Sequence, residues 1–157
     1  MGVLLPLFKL GYVFFVIVFA GSVIMGLTWK LLAERSGNPR RIVWAFENIM
    51  KGDELLTFPS VIGILITSFL IQDSFHFPVY FISFPFLISL TFIYSSTIFF
   101  TVVSPLRRKI YRIVVLAGTM EDLAKTDYKK LSLRWMIIGL AELAPPVTLL
   151  ILSLSQL

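Results

Sequence analysis

The 157-residue chain has no cysteine and a single histidine, His76, and only 15% of its residues are charged. Without thiols there can be no disulfide, thiolate-bound metal, iron–sulfur cluster or cysteine nucleophile. One histidine supplies neither the two axial ligands usual for a membrane b-type haem nor the several ligands of a catalytic zinc. Phosphate-cradling loops, dinucleotide fingerprints and nucleophile elbows are missing too. Carboxylates number nine against fourteen Lys and Arg. They form no obvious acid–base pair, since Asp53 and Glu54 sit beside one span while Glu142 lies deep within another. The chain is therefore expected not to be an enzyme and to carry no cofactor or metal.

What the chain has in abundance is apolar surface. Its residues are 57% hydrophobic, and the mean hydropathy of +0.89 lies far outside the soluble range. The net charge of +5 would suggest nucleic acid in a soluble protein. Here the basic residues flank hydrophobic runs, where they orient the protein and touch anionic headgroups. The expected partners are thus a bilayer with anionic headgroups and other membrane protein subunits, not nucleic acid. Apolar runs of spanning length predict four helices over about 3–32, 55–71, 78–104 and 132–154. The fold expected is all-α, a single four-helix transmembrane domain in a membrane such as the prokaryotic plasma membrane. The first run is too long for a signal peptide, and basic residues follow it rather than precede it. Lys9 is expected to snorkel outward along its stem, and Ser22 and Gly26 form a small-residue pair that lets another helix approach closely.

Between the first two spans, Ser36-Gly37-Asn38-Pro39 reads as a turn. Ile42, Val43, Phe46, Ile49 and Met50 then repeat at helical spacing, with Arg40, Arg41, Glu47 and Lys51 off the stripe. That pattern predicts an amphipathic helix lying on the membrane surface or serving as a solvated connector. Asp53 reads as the cap of the second span, which holds Pro59, Gly63, Thr67 and Ser68. Leu106, Ile110, Ile113, Val114, Ala117, Met120 and Leu123 form another stripe, with Arg107, Arg108, Lys109 and Arg112 crowding its start. These four cations are expected at an anionic lipid surface, although the stripe also suits packing on the bundle or on another subunit. Thr126-Asp127 looks like the cap of the fourth span. Because basic residues gather on the first and third connections, both should be cytoplasmic and both termini outside.

The fourth span carries the one unusual group, Glu142, followed by Pro145 and Pro146. An acid at that depth costs roughly 2.5–3.5 kcal/mol on insertion scales and normally faces protein or water. The two prolines free the carbonyls of Ala141 and Glu142 and are expected to kink the helix. Glu142 is expected to be protonated and to donate to a freed carbonyl or to a third-span hydroxyl, with Tyr94 and Ser95 as candidates.

Four segments carry a resemblance: LLAERSGNP after the first span, an acid opening a second span with Pro59 and Gly63, SPLRRKI closing the third, and YKKLSLRWMIIGLAELAPP. Together they resemble an uncharacterised family of small four-span predicted integral membrane proteins, a domain of unknown function. The resemblance covers most of the chain, implies the four-span fold and leaves function open. Members often carry a histidine in the first span and a lysine–proline ending, where this chain has Gly11-Tyr12 and Ser155-Gln156-Leu157. A haem role implied by distant four-span relatives, the CopD-type copper proteins and HemJ-type oxidases, would lack that histidine. The function expected is a non-catalytic accessory or interaction subunit of a larger membrane complex. Alternatives are a homo-oligomeric small-solute or proton-coupled transporter using Glu142, and a redox or haem-associated enzyme.

Overall fold

The computed structural model describes residues 4–71 and 84–154, with no strand among the described residues. Helix α1 is Leu4–Arg35, α2 is Pro39–Leu70, α3 covers 84–117, α4 is the short Met120–Ala124 and α5 is Tyr128–Leu154. All but α4 are long and apolar enough to cross a membrane. No more than 28% of the apolar window of any of them is buried, so most of that surface requires lipid tails rather than water. The chain is thus an all-α bundle of four spanning helices in an integral membrane protein. His76 and the expected start of the third span at Pro78 lie outside the described residues.

Two expected boundaries move, for one physical reason. The amphipathic segment after Asn38 and the second span form one helix, α2, and the third span runs on through the basic segment as α3. Each helix passes a π turn, Asp53–Thr57 in α2 and Phe99–Val103 in α3. Each π turn is followed by a proline, Pro59 or Pro105. A proline lacks the amide hydrogen, and its ring crowds the carbonyl four residues back, here Leu55 or Thr101. A π turn opens the backbone at that point, so the helix continues instead of stopping. Asp53 is therefore not an N-cap: its φ of −61° is helical, and its amide bonds back to the carbonyls of Ile49 and Met50.

The two stripes face one another, which is the packing on the bundle that the second of them also suited, rather than lying on a lipid surface. Ile42, Phe46 and Ile49 of α2 meet Ile110 and Val114 of α3, with Ala33, Leu123, Tyr128 and Trp135 completing one core. Leu106, Ile113 and Ala117 pack half-buried against it. A 32-residue helix is about 48 Å long, against a hydrocarbon layer of about 30 Å. The bundle accordingly projects past one membrane face, and the facing stripes hold that projection together. A second core fills the other half, where Tyr12, Val16, Phe19, Ile64, Ile88, Phe92 and Leu150 meet.

Local signals account for the turns. Gly37 takes φ +62°, and the Asn38 side chain accepts from the Arg40 amide at 2.9 Å just before Pro39 starts α2. Gly118, at φ +65°, ends α3. Thr126 accepts from the Tyr128 amide at 3.3 Å where α5 begins, as expected of that cap. Ser22 and Gly26 do face a neighbouring helix: the Ser22 hydroxyl lies 3.0 Å from that of Thr57, and a Cβ on Gly26 would sit 3.6 Å from Ile49. Gly63 allows a closer approach still, since a Cβ there would meet the Phe15 ring at 2.5 Å. Helix α5 runs unbroken through Pro145 and Pro146.

Candidate functional site

The inward stripe of three helices includes a charge. In α3, Val103, Arg107, Ile110 and Val114 share one buried face. In α2 the stripe Ile42, Phe46, Ile49 reaches Asp53 four residues later, and in α1 Lys30 precedes Ala33 on the buried face. Helical geometry therefore carries these groups into the bundle, where an unpaired charge would be costly. Each meets an opposite charge.

Arg107 donates through Nη1 to Asp53 Oδ2, with side chains only 8% and 20% exposed. The guanidinium also lies over the Phe99 ring, 5.4 Å from its centre. Thr57 donates to Asp53 Oδ1 at 3.3 Å, and Ser22 donates to the Phe19 carbonyl at 2.8 Å. Their two hydroxyl protons serve three contacts, because the hydroxyls also touch each other at 3.0 Å. This cluster ties α1, α2 and α3 together.

Nearer the projecting end, Lys30 Nζ donates to both oxygens of Glu34 at 3.0 and 3.1 Å. Glu34 Oε1 also accepts from the Tyr128 hydroxyl at 2.6 Å and the Ser132 hydroxyl at 2.8 Å. This second cluster joins the end of α1 to the start of α5. The Lys30 ammonium sits 6.0 Å from the centre of the Trp135 ring, so Trp135 stands between the two clusters.

All four spanning helices surround a cavity of about 150 Å³. Phe19, Val23, Phe58, Val61, Phe92 and Leu143 give it apolar walls, while Ser22, Asp53, Thr57, Ser95, Arg107 and Trp135 add polar groups. Its exposed lining residues are Met25 of α1, at 37%, and Leu140 of α5, at 48%. They belong to α1 and α5, whose backbones scarcely approach each other. Two donors on its lining residues, Arg107 Nε and Trp135 Nε1, are buried without a hydrogen-bond partner among the described residues. A buried unsatisfied donor costs about 1–3 kcal/mol, and native proteins keep few of them. Neither nitrogen has accessible surface of its own, so both lie within the packing behind the cavity wall rather than on its face.

The residues singled out in the sequence are distributed unevenly around this site. Arg107 is not at the lipid surface as expected but 7% exposed and turned inward, because it occupies a stripe position and Asp53 waits opposite. Arg108, Lys109 and Arg112 fall off the stripe and are exposed. Pro146 and Ser95 are buried on the cavity wall, whereas Pro145 is exposed. Tyr94 is 56% exposed, away from the bundle interior. The backbone of Glu142 lies in α5 between the cavity-lining Gly139 and Leu143, but its side chain, and with it the expected hydrogen bond, lies outside what the structure describes.

Several groups at the site were not singled out as functional in the sequence: the ion pair of Asp53 with Arg107, the cluster around Glu34, and the indole of Trp135. One signal was available, since Lys30, Asp53 and Arg107 each occupy a position on an otherwise apolar stripe. Compared with models of known families, with characterised proteins and with solved structures, the chain matches none of them.

Proposed function

We propose that this chain binds a lipid-soluble molecule inside its bundle, admitted sideways from the bilayer between Met25 and Leu140. The observation that carries the proposal is a largely apolar cavity lined by all four spanning helices, with Ser22, Thr57, Ser95 and the paired Asp53 and Arg107 on its wall. Such a cavity favours a ligand already dissolved in hydrocarbon, and its few fixed polar groups would orient that ligand. In this reading the protein is non-catalytic and holds the molecule for a larger membrane assembly. The accessory role draws support from Val115 and Leu116, 51% and 85% exposed at the projecting end, where apolar surface suits a protein neighbour.

Native mass spectrometry on protein extracted in mild detergent tests both parts. A small hydrophobic molecule retained by the chain, together with a co-purifying subunit, is the expected result. A bare chain that takes up no lipid-soluble compound would remove the binding function, and a lone stable monomer would remove the accessory role. The proposed orientation places the basic projecting end in the cytoplasm. Single cysteines introduced at Asn38 and Ser74 should then label from opposite sides, Ser74 from outside; labelling of both from the cytoplasm would contradict the four-span topology.

A further inference from the structure

Resting on that proposed function, we infer that the ligand is a lipid with an anionic phosphate head, held between α1 and α5 with one tail reaching into the cavity. The starting point is a second cavity, of about 330 Å³, at the projecting end. Lys30 and Glu34 of α1 line it, together with Lys129, Ser132, Leu133 and Met136 of α5. Met136 lines the first cavity as well, so the two are neighbours along the same pair of helices.

Helical spacing runs each of those helices through both cavities on one face. On α5, Lys129, Leu133, Met136, Leu140 and Leu143 follow at intervals of three and four residues; the first three line the second cavity and the last three the first. On α1, Glu34 and Lys30 line the second cavity, and Leu27 and Val23, on the same face, line the first. Each face is thus charged at the projecting end and apolar below it. The backbones of the two helices scarcely approach each other, and Leu133 and Leu140 are 53% and 48% exposed. From Lys129 to Leu140 the rise is about 16 Å, close to one leaflet's share of a hydrocarbon layer about 30 Å thick. A charged head with an apolar tail fits that layout in one orientation.

The charge left over at the head end is positive. Among the described residues, Glu34 is the only carboxylate lining the second cavity. Lys30 neutralises it, and the hydroxyls of Tyr128 and Ser132 take up more of its acceptor capacity. Lys129 is exposed and forms no ion pair among the described residues. Lys130 and Arg134, close by on α5, are exposed too. A phosphate meets a cation there, and basic pockets between spanning helices on the cytoplasmic side suit such heads. A neutral molecule would leave Lys129 unused, and a zwitterionic head would bring a second cation to a wall with no carboxylate to spare.

The full chain, stripped of lipid in mild detergent, tests this by native mass spectrometry of bound probe. The probes are dioleoyl phosphatidylglycerol, dioleoyl phosphatidylcholine, decylbenzene, which has no charged head, and glycerol phosphate, which has no tail. Phosphatidylglycerol should bind saturably, one molecule per chain, and about fivefold more tightly than phosphatidylcholine. Glycerol phosphate should not be retained. Lys129→Gln should bring phosphatidylglycerol down to the level of phosphatidylcholine and leave the latter unchanged. Lys51→Gln removes an exposed cation that lines neither cavity and should leave the preference intact. Leu140→Trp, at an exposed position where folding is little at risk, should weaken both lipids. Equal binding of the two lipids, an equal loss in both Gln variants, retention of glycerol phosphate, or lipid binding untouched by Leu140→Trp would overturn the inference. Saturable binding of decylbenzene would then leave the proposed function standing. No saturable binding of any probe would overturn the proposed function as well.

Discussion

Asp53→Ala should destabilise the protein by about 3–5 kcal/mol, the range expected when one partner of a buried ion pair is removed. The cost comes from what is left behind. Arg107 would keep its charge, with a side chain 8% exposed, an Nε already unpartnered among the described residues and the Phe99 ring as compensation. Asp53→Asn should cost less, since the amide oxygen can still accept. The double variant Asp53→Leu with Arg107→Met should be more stable than Asp53→Ala alone, because no unpaired charge remains in it. Thermal or denaturant unfolding of the purified protein in one detergent would rank the three. If Asp53→Ala unfolds within about 0.5 kcal/mol of the parent, the pair behaves as an exposed surface bridge, and the inward placement of Arg107 is wrong.

Glu34→Ala should follow, at about 2–4 kcal/mol. An i,i+4 bridge on an exposed helix face is worth only about 0.3–0.5 kcal/mol, so spacing alone would make Lys30 and Glu34 a minor contact. Burial and convergence change the estimate. Lys30 is 3% exposed, and Glu34 also serves the hydroxyls of Tyr128 and Ser132 from α5. Its removal strands a cation and two hydroxyls and unties α1 from α5. The effect is smaller than at Asp53 because the Glu34 side chain is 28% exposed, which lets water reach some of the stranded groups. Adding Lys30→Met to Glu34→Ala should recover part of the loss. No recovery in the same unfolding measurement would mean that the stranded hydroxyls, rather than the cation, carry the cost.

These two clusters also show where sequence reading succeeds and where it stops. The four spans follow from apolar runs, the turn at Gly37 from its glycine, asparagine and proline, and the start of α5 from Thr126-Asp127. All are local. The apolar stripes of α2 and α3 were equally visible, but a stripe has the same spacing whether it meets lipid or another helix. Only the three-dimensional structure distinguishes the two, and here Ile42, Phe46, Ile110 and Val114 bury one another. Asp53 and Pro105 looked like boundaries, one as an N-cap and the other because proline usually ends a helix, and the π turns that carry α2 and α3 onward leave no mark in local composition. Asp53 and Arg107 lie 54 residues apart. Each had a sufficient local explanation, as a cap or as a lipid-facing cation, and their positions on apolar stripes were the only hint of a shared interior. Glu142 drew attention as the lone acid within a span, whereas the described polar site is built from groups nearer the ends of the apolar runs.

The central claim is that a molecule entering the cavity meets the indole of Trp135, and the chain offers a direct measurement of it. Protein labelled with nitrogen-15 in nanodiscs has three indole N–H signals, from Trp29, Trp44 and Trp135, and Trp135→Phe identifies the third. Trp44 is 54% exposed on the outside of the bundle and serves as the internal control. On saturation with decylbenzene the Trp135 signal should shift most, as its indole lines the cavity and meets the ring current of the probe, while that of Trp44 stays in place. A Trp135 signal that does not move, or one that moves no more than Trp44, would contradict the account.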